Sequence, residues 1–396
     1  MGVYDELGLR TVINASGTLT RLGGSRMSPE VLAAMAEGAA AFVPIDALQA
    51  RAGEIIAEVT GAEAGYVVSG AAAGLSLGVA ACVAGMDVAA MDRLPDTSGL
   101  KDEVVVQRGH RNAYDHAIRA VGVRMVEVGY LGYPGAGGAH PWQIAAAITE
   151  RTAAVACPIL DTPGTVPLPV VCQIAHERGL PVIVDAAAEL PPRANLRRFI
   201  AEGADLVVFS GGKAIGGPQA SGILAGRADL IASVALQHQD MDVRPETWSW
   251  RPLLDSGRLD GVPHQGFGRS MKVGREEIVG LITALRRFAA GSDEDDLERW
   301  QQCLDPIERA LEGIPGIRVG RHVPQHKPVP SLRIDLEGDR VATRAYDLVN
   351  RLLDGEPSIA VDQSYAEHGR LSINPQGLTA EEATTVARRL REELRA

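Results

Sequence analysis

The chain predicts an α/β protein with a mainly parallel sheet, followed by a smaller C-terminal α+β domain. Three observations carry this. Short apolar runs recur at 65–68, 104–107, 125–128, 153–159, 182–184 and 206–209, with helix-like segments between them. The runs are continuous rather than alternating, as strands covered on both faces must be. After residue 275 the rhythm changes to short strands at 318–319, 331–336 and 371–373, set among helices at about 340–353 and 379–393.

The elements follow in order. Val12-Ile13-Asn14-Ala15-Ser16-Gly17 is an apolar start running into a glycine-punctuated polar loop, too short to be a domain. Ser28-Pro29-Glu30 opens a helix, with serine as N-cap and proline in the first position. A second helix covers 47–59 and stops at Gly61. Helical segments at 70–83, 112–120, 142–149, 170–177 and 196–201 then separate the apolar runs. Residues 236–270 break the pattern. They are polar, weakly periodic and punctuated by Pro and Trp, which suits a lid, a binding loop or a disordered excursion. Gly274-Arg275-Glu276-Glu277 begins an amphipathic helix to about 289, with Ile278, Leu281, Ile282 and Leu285 on one face. The expected division is an N-terminal arm over 1–45, a large domain over 46–275 and a small domain over 276–396.

A chain of 396 residues can bury a large core in two domains. Its net charge of −11 argues against nucleic acid or an anionic membrane as partner. No basic-then-apolar leader opens the chain, and its apolar stretches stop short of a membrane span. Cys82, Cys157, Cys172 and Cys303 lack C-x-x-C or zinc spacing and read as reduced thiols of a cytoplasmic protein. His322 and His326 flank Pro324 without metal-ligand context, so no metal site is expected.

Ligands of parallel sheets bind beyond the carboxyl ends of the strands. There stand Ser69-Gly70, His110, Asp161-Thr162, Asp185 and the run Ser210-Gly211-Gly212-Lys213. Lysine is rarely buried without a partner, and burial lowers its pKa, which suits an amine that forms a Schiff base. A phosphate-binding G-x-x-x-x-G-K-[ST] loop fails twice, at Val207 and at Ala214. A surface turn with a solvated lysine competes until Val182-Ile183-Val184 is seen to end in Asp185, 28 residues before Lys213. An acid at one strand end and a lysine at another suit pyridoxal phosphate: the amine joins its aldehyde, and the carboxylate keeps its pyridine nitrogen protonated.

Ser69-Gly70-Ala71 opens a small-residue helix whose N–H groups suit a phosphate, though an ordinary cap reads equally well. His110 can stack on a ring or bond within its loop, and Ser210 can bond a phosphate or cap its turn. Asp161 and Thr162 can reach a ring oxygen or the substrate, or serve the turn at Pro163-Gly164. Gly135-Ala136-Gly137-Gly138 precedes His140-Pro141 and reads as a loop.

In series, Asn14-Ala15-Ser16-Gly17, Val68-Ser69-Gly70-Ala71, Val184-Asp185-Ala186-Ala187, Ser210-Gly211-Gly212-Lys213, Gly217-Pro218-Gln219 and Met271-Lys272-Val273-Gly274-Arg275 resemble the selenocysteine synthase-like group of fold-type I pyridoxal phosphate enzymes. The likeness is to the branch containing D-glucosaminate-6-phosphate ammonia-lyase. It implies a fold-type I architecture, Lys213 as the Schiff-base lysine and Asp185 as the pyridinium partner. It also implies Ser69 to Ala71 and Ser210 around the phosphate, with His110 on the ring face. Arg370 resembles the arginine that clamps a substrate α-carboxylate, and Arg269 and Lys272 the basic pair of selenocysteine synthase. Lys272, Asp161 and Thr162 are counted with the cofactor-binding residues, Asn14 and Arg269 with the substrate-binding ones.

The implied activity is a lyase that eliminates the β-hydroxyl of a β-hydroxylated amino acid or aminosugar acid. A racemase or aminotransferase shares the first proton removal and is the alternative. A non-catalytic pyridoxal phosphate-binding module lacks support, since no helix-turn-helix or basic arm is seen. Selenium transfer is set aside: the Asn-Ala-x-Gly motif begins at residue 14, and an acidic chain suits no polyanion. The open edge of such a sheet further predicts a homodimer or higher homo-oligomer with sites at the interface.

Overall fold

The apolar runs become strands whose side chains alternate between two cores. In the computed structural model, residues 2–131, 138–160, 162–324 and 327–395 are described. Asp161, Gly135 to Gly137 and His326, each singled out above, lie outside the described residues. The strands are β1 (Val12–Ala15), β2 (Ala64–Val68), β3 (Glu103–Gln107), β4 (Arg124–Val128), β5 (Thr152–Pro158), β6 (Val182–Asp185), β7 (Leu206–Ser210), β8 (Gly222–Gly226), β9 (Ile317–His322), β10 (Ser331–Leu336), β11 (Ser358–Tyr365) and β12 (Arg370–Ile373).

Two units result: Met27–Leu190 with Ala194–Ala289, and Met1–Arg26 with Pro191–Arg193 and Ala290–Ala396. These divisions differ from the expected ones at 45 and 275. Helix Pro29–Ala39 and nearly all of helix Arg275–Ala290 fall in the larger unit, because Val31, Ile278, Leu281 and Leu285 are buried in one of its cores.

In the larger unit the strand order is β2-β8-β7-β6-β5-β3-β4. Strands β7, β6, β5, β3 and β4 pair in parallel, and β8 runs antiparallel to both of its neighbours. Val207 and Phe209 enter one core with Val155 and Val184; Leu206 and Val208 enter the other with Ala154 and Leu77. Both faces are therefore covered, which is why the runs read as continuous. The reversed strand β8 escaped notice because Ile223-Leu224-Ala225 is short and bracketed by glycines.

Helix Ala71–Ala84 presses directly onto this sheet. A Cβ at Gly74 would stand 2.9 Å from Val208 Cγ1, and one at Gly78 3.2 Å from Leu206 Cδ1. The helix can lie this close only because those positions carry no side chain. The helices expected at 112–120 and 142–149 are shorter, Asp115–Arg119 and Pro141–Ala147. In the first case the Asn112 side chain takes up the Tyr114 N–H at 2.8 Å, a local turn that competes with helix.

Residues 236–270 pack more than expected. Helix Ala228–His238 runs into the segment, helix Arg251–Asp255 and a 3-10 turn Phe267–Met271 lie within it, and Met241, Trp248 and Leu259 are buried in the second core.

The smaller unit has the order β1-β11-β12-β10-β9, with β1 parallel to β11 and the remaining pairs antiparallel. The first strand is thus an integral part of a sheet, with Ala15 fully buried. Helices Asp293–Leu311, Val341–Asp354 and Ala380–Arg395 bury Leu304, Ile307, Leu348, Leu352, Val386 and Leu390 in its core. Ser292 caps the first of these, accepting from Asp295 N at 3.1 Å, and four acidic residues in the first turn complement the helix dipole. Among the described residues no helix is long and apolar enough to cross a membrane.

Candidate active site

The register of the sheet sets the site. Val68 of β2 and Ser210 of β7 both pair with Gly222 of β8. Ser69 and Ser210 therefore stand at one edge, roughly 10 Å apart across the intervening strand. Between them begins helix Ala71–Ala84. Its N-cap, Gly70, has φ +129° and offers no side-chain cap, so the first N–H groups point out of the helix without intrahelical partners. A Cβ at Gly222 would come within 2.9 Å of the Gly70 carbonyl carbon and 3.0 Å of Ala71 N. Strand and helix start thus meet backbone to backbone, leaving an anion-accepting cradle that excludes side chains at two positions.

Two strands along, Asp185 closes β6, paired in register with Val208. The Asp185 carboxylate accepts from Ala187 N at 3.0 Å. Its burial raises its pKa, while that hydrogen bond and the Lys213 charge pull the other way. Lys213 sits half-buried in the turn after β7. Burial lowers its pKa, against the opposing pull of the Asp185 and Glu189 carboxylates. The turn is drawn tight by Gly211 N to Ser221 O at 2.8 Å, Gly217 N to Gly211 O at 2.9 Å and Gly216 N to Lys213 O at 3.0 Å. A Cβ at Gly212 would stand 2.8 Å from Gln219 Cα, so the turn folds flat onto its own return.

His110 follows β3 and is 4% exposed, its Nδ1 without a hydrogen-bond partner among the described residues. Burial lowers its pKa to about 4, so the ring is a neutral, flat face with one unsatisfied nitrogen. Gln107 fastens the end of β3 to the neighbouring loop: its Nε2 donates to Val166 O at 3.0 Å, and its Oε1 accepts from Val166 N at 2.6 Å. Thr162 Oγ1 donates to Gly109 O at 3.2 Å, which ties that threonine to the loop carrying His110.

One edge of the larger unit thus gathers Ser69, Gly70, Ala71, His110, Thr162, Asp185, Ser210 and Lys213. Arg269 and Lys272 lie elsewhere in the same unit, lining a cavity of about 420 Å³ with Asp46, Gln49, His238 and Asp240, and none of the Lys213 group lines it. Asn14 and Arg370 belong to the smaller unit. Asn14 braces a turn, its Nδ2 donating to Gly17 O at 2.8 Å. Arg370 Nε donates to Asp335 Oδ1 at 2.6 Å. Gly222 and Glu189 were not foreseen. The part that each plays depends on a contact with a residue remote in the chain, and neither carries a local signature.

The set fits pyridoxal phosphate: a side-chain-free anion cradle, a desolvated amine, a carboxylate coupled to it and a buried ring with an orphaned nitrogen. A family model, SelA: L-seryl-tRNA selenium transferase, matches residues 12–243. The chain belongs to this family. D-Glucosaminate-6-phosphate ammonia lyase of Salmonella typhimurium is 34% identical, over 98% of this chain and 97% of that protein. The 5′-C-glycyluridine monooxygenase-decarboxylase of a Streptomyces species is also 34% identical, over 98% of this chain and 91% of that protein. The solved structure of D-glucosaminate-6-phosphate ammonia-lyase is similar with a TM-score of 0.82 at 33% identity, covering 100% of this chain and 98% of that one. More distant solved pyridoxal phosphate enzymes share the fold alone. The fold is fold-type I, and family and fold together imply dependence on pyridoxal phosphate.

The buried His110 has a measurable consequence. Its folded pKa of about 4 lies below the ordinary 6.5, so the unfolded chain binds the extra proton between those values. The stability it contributes is present above pH 6.5 and is lost as pH falls towards 4. His110→Gln should flatten that part of the melting temperature–pH curve in calorimetry. An unchanged slope would mean that His110 is solvated.

Proposed function

We propose that the protein is a pyridoxal phosphate-dependent lyase of the ammonia-lyase type. It would remove water across the Cα–Cβ bond of a β-hydroxylated aminosugar acid and release a 2-keto acid and ammonia. The observation that carries this is the pairing of a desolvated lysine with a desolvated carboxylate on adjacent strand ends, beside the side-chain-free cradle at Gly70 and Gly222. Support for the substrate class comes from the activity named for the Salmonella relative.

When bound, pyridoxal phosphate supplies the carbonyl that captures the substrate amine and the ring that accepts the electron pair left at Cα. The residues around it have separable tasks. The N–H groups at Ser69 to Ala71 and the Ser210 hydroxyl would hold the phosphate. Asp185 would accept a hydrogen bond from the protonated ring nitrogen, a charge that brings its raised pKa back down. His110 would cover one face of the ring and exclude water there. Thr162 would stand at the ring edge. Lys213, its pKa lowered by burial, would take the α-proton as general base and hold it on Nζ. The water lost in elimination is returned when the enamine hydrolyses, so the net product beside the keto acid is ammonia.

In the smaller unit we assign the substrate carboxylate to Arg370. The Asp335 bond occupies only Nε, which leaves the two terminal nitrogens to act as a planar fork. We also read the protein as a cytosolic homodimer in which Arg269 and Lys272 serve the partner's site. Phe42, 96% exposed with half-exposed Val43 next to it in the chain, supports a covered face on the larger unit.

The equal identity to a monooxygenase-decarboxylase favours a second reading, in which oxygen is consumed and the substrate carboxylate leaves. Lys213 and Asp185 would serve either chemistry.

Three measurements test these readings. Supplied with D-glucosaminate 6-phosphate, the holoenzyme should release ammonia and a 2-keto acid at the same rate with and without oxygen; oxygen-dependent release of carbon dioxide would establish the second reading instead. Asp185→Asn should keep its cofactor absorbance yet lose turnover by roughly two orders of magnitude, because a neutral amide cannot stabilise the pyridinium charge. Near-normal turnover would remove Asp185 from the site. Light scattering should return the mass of two chains or a multiple of it, and a single-chain mass would overturn the dimer.

A further inference from the structure

In the wall of the cavity that Arg269 and Lys272 line, one buried histidine is bonded at both ring nitrogens. His238 Nε2 lies 2.9 Å from the Met271 carbonyl oxygen, and Nδ1 lies 3.0 Å from the Tyr66 hydroxyl. A carbonyl can only accept, so Nε2 carries the hydrogen. The neutral ring then has one acceptor left, Nδ1, which takes the hydrogen of Tyr66. Burial favours this state, lowering the His238 pKa and raising that of Tyr66, so the imidazole stays neutral and the phenol stays a donor. The relay has a single polarity, from the Tyr66 hydroxyl through His238 to the backbone of Met271.

That backbone carbonyl belongs to the turn joining Arg269 to Lys272, and the turn is fastened at further points to the end of helix Ala228–His238. A Cβ at Gly266 would stand 2.7 Å from Gln237 Cα, and one at Gly268 3.2 Å from His238 Cα. Only glycines permit so close an approach. Gln265 adds Nε2 to Asp240 Oδ1 at 2.6 Å and Oε1 from Met241 N at 3.3 Å.

The ion pair of Arg269 cannot by itself fix the basic pair. Arg269 Nη2 is 3.7 Å from Asp240 Oδ2, with side chains 33% and 61% exposed, and such a solvated contact contributes little. Lys272 is exposed and has no ion pair among the described residues. Asp46 and Asp240 share the cavity, but solvated carboxylates draw the two cations in without fixing where they point, so the turn that carries them matters.

We propose that Tyr66 and His238 are positioning residues for the basic pair: their hydrogen-bond relay to the Met271 carbonyl holds the 266–272 turn so that Arg269 and Lys272 present their charges to one anionic group. This rests on the reading of Arg269 and Lys272 as a basic pair that serves the partner's site, and it adds the groups that place them. His238 lines the cavity itself, but both of its ring nitrogens are already engaged, so it bears on the anion through the turn it holds.

The test compares holoenzymes of Tyr66→Phe, His238→Ala, His238→Gln and Arg269→Ala with the unaltered protein. Tyr66→Phe removes one hydroxyl and should raise KM for D-glucosaminate 6-phosphate, and the Kd of inorganic phosphate, about tenfold, with kcat within about twofold. His238→Ala should do more, and His238→Gln, whose amide can still donate to Met271 O, should recover part of the loss. Hydrogen exchange over 266–272 should quicken in Tyr66→Phe and His238→Ala while cofactor absorbance is retained. A merely structural role would lower the melting temperature and the active fraction but leave KM and phosphate affinity of the folded enzyme unmoved, and that result overturns the proposal. So does unchanged exchange over 266–272. If Arg269→Ala leaves KM and phosphate affinity untouched, the reading of the basic pair fails, whereas failure in Tyr66→Phe and His238→Ala alone sinks only the relay.

Discussion

Backbone meets backbone where Gly222 touches Gly70 and Ala71, and much of the larger unit is arranged to make that contact possible. A strand pressed against a helix start needs the helix flat on the sheet, which Gly74 and Gly78 permit by resting on Val208 and Leu206. It also needs a reversed strand, because β8 brings Gly222 to the carboxyl edge only by running against β7 and β2. The outcome is a row of amide donors at the sheet edge with no side chain crowding them. Any residue larger than glycine at 222 would push the helix start away from the strand before a ligand arrived.

The electrostatics of the edge follow from the same burial. Lys213 and Asp185 are each shifted towards neutrality by desolvation, and each partly restores the charge of the other. Such a pair is poised: small changes in local polarity decide which form each takes. A cationic ring nitrogen near Asp185 would favour its anion, which in turn bears on the lysine. His110 adds no charge of its own, since burial keeps it neutral, so it shapes the field by excluding water.

Much of this was legible in the sequence. The parallel strands could be read because double-sided burial leaves unbroken apolar runs, and Asp185 and Lys213 could be read because polar residues at the ends of such runs are conspicuous. Strand β8 could not, since three apolar residues between glycines carry no periodicity. Strand β11 was missed as well: Asp362, Gln363 and Ser364 interrupt its second half, where its register with β12 shifts. The boundary at 275 was misplaced because the apolar face of Ile278, Leu281 and Leu285 shows that a helix is buried but not in which unit. The relay from Tyr66 to Met271 joins residues more than 200 positions apart, and nothing local in β2 marks its tyrosine as other than core.

The parallel pairing of β1 with β11 bears on how the chain comes to be folded at all. Val12 to Ala15 pair with Ser358 to Val361, segments from opposite ends of the sequence. During synthesis the first strand emerges before its partner and must wait, its edge unpaired, until residues 358–361 have left the ribosome. The seven strands of the larger unit lie within residues 64–226 and can meet long before that. The order of assembly is therefore written into the topology: the seven-stranded sheet first, and the five-stranded sheet carrying Arg370 last. A chain stalled or clipped before residue 358 would leave the early strand as an orphan edge, the kind of surface that recruits other chains.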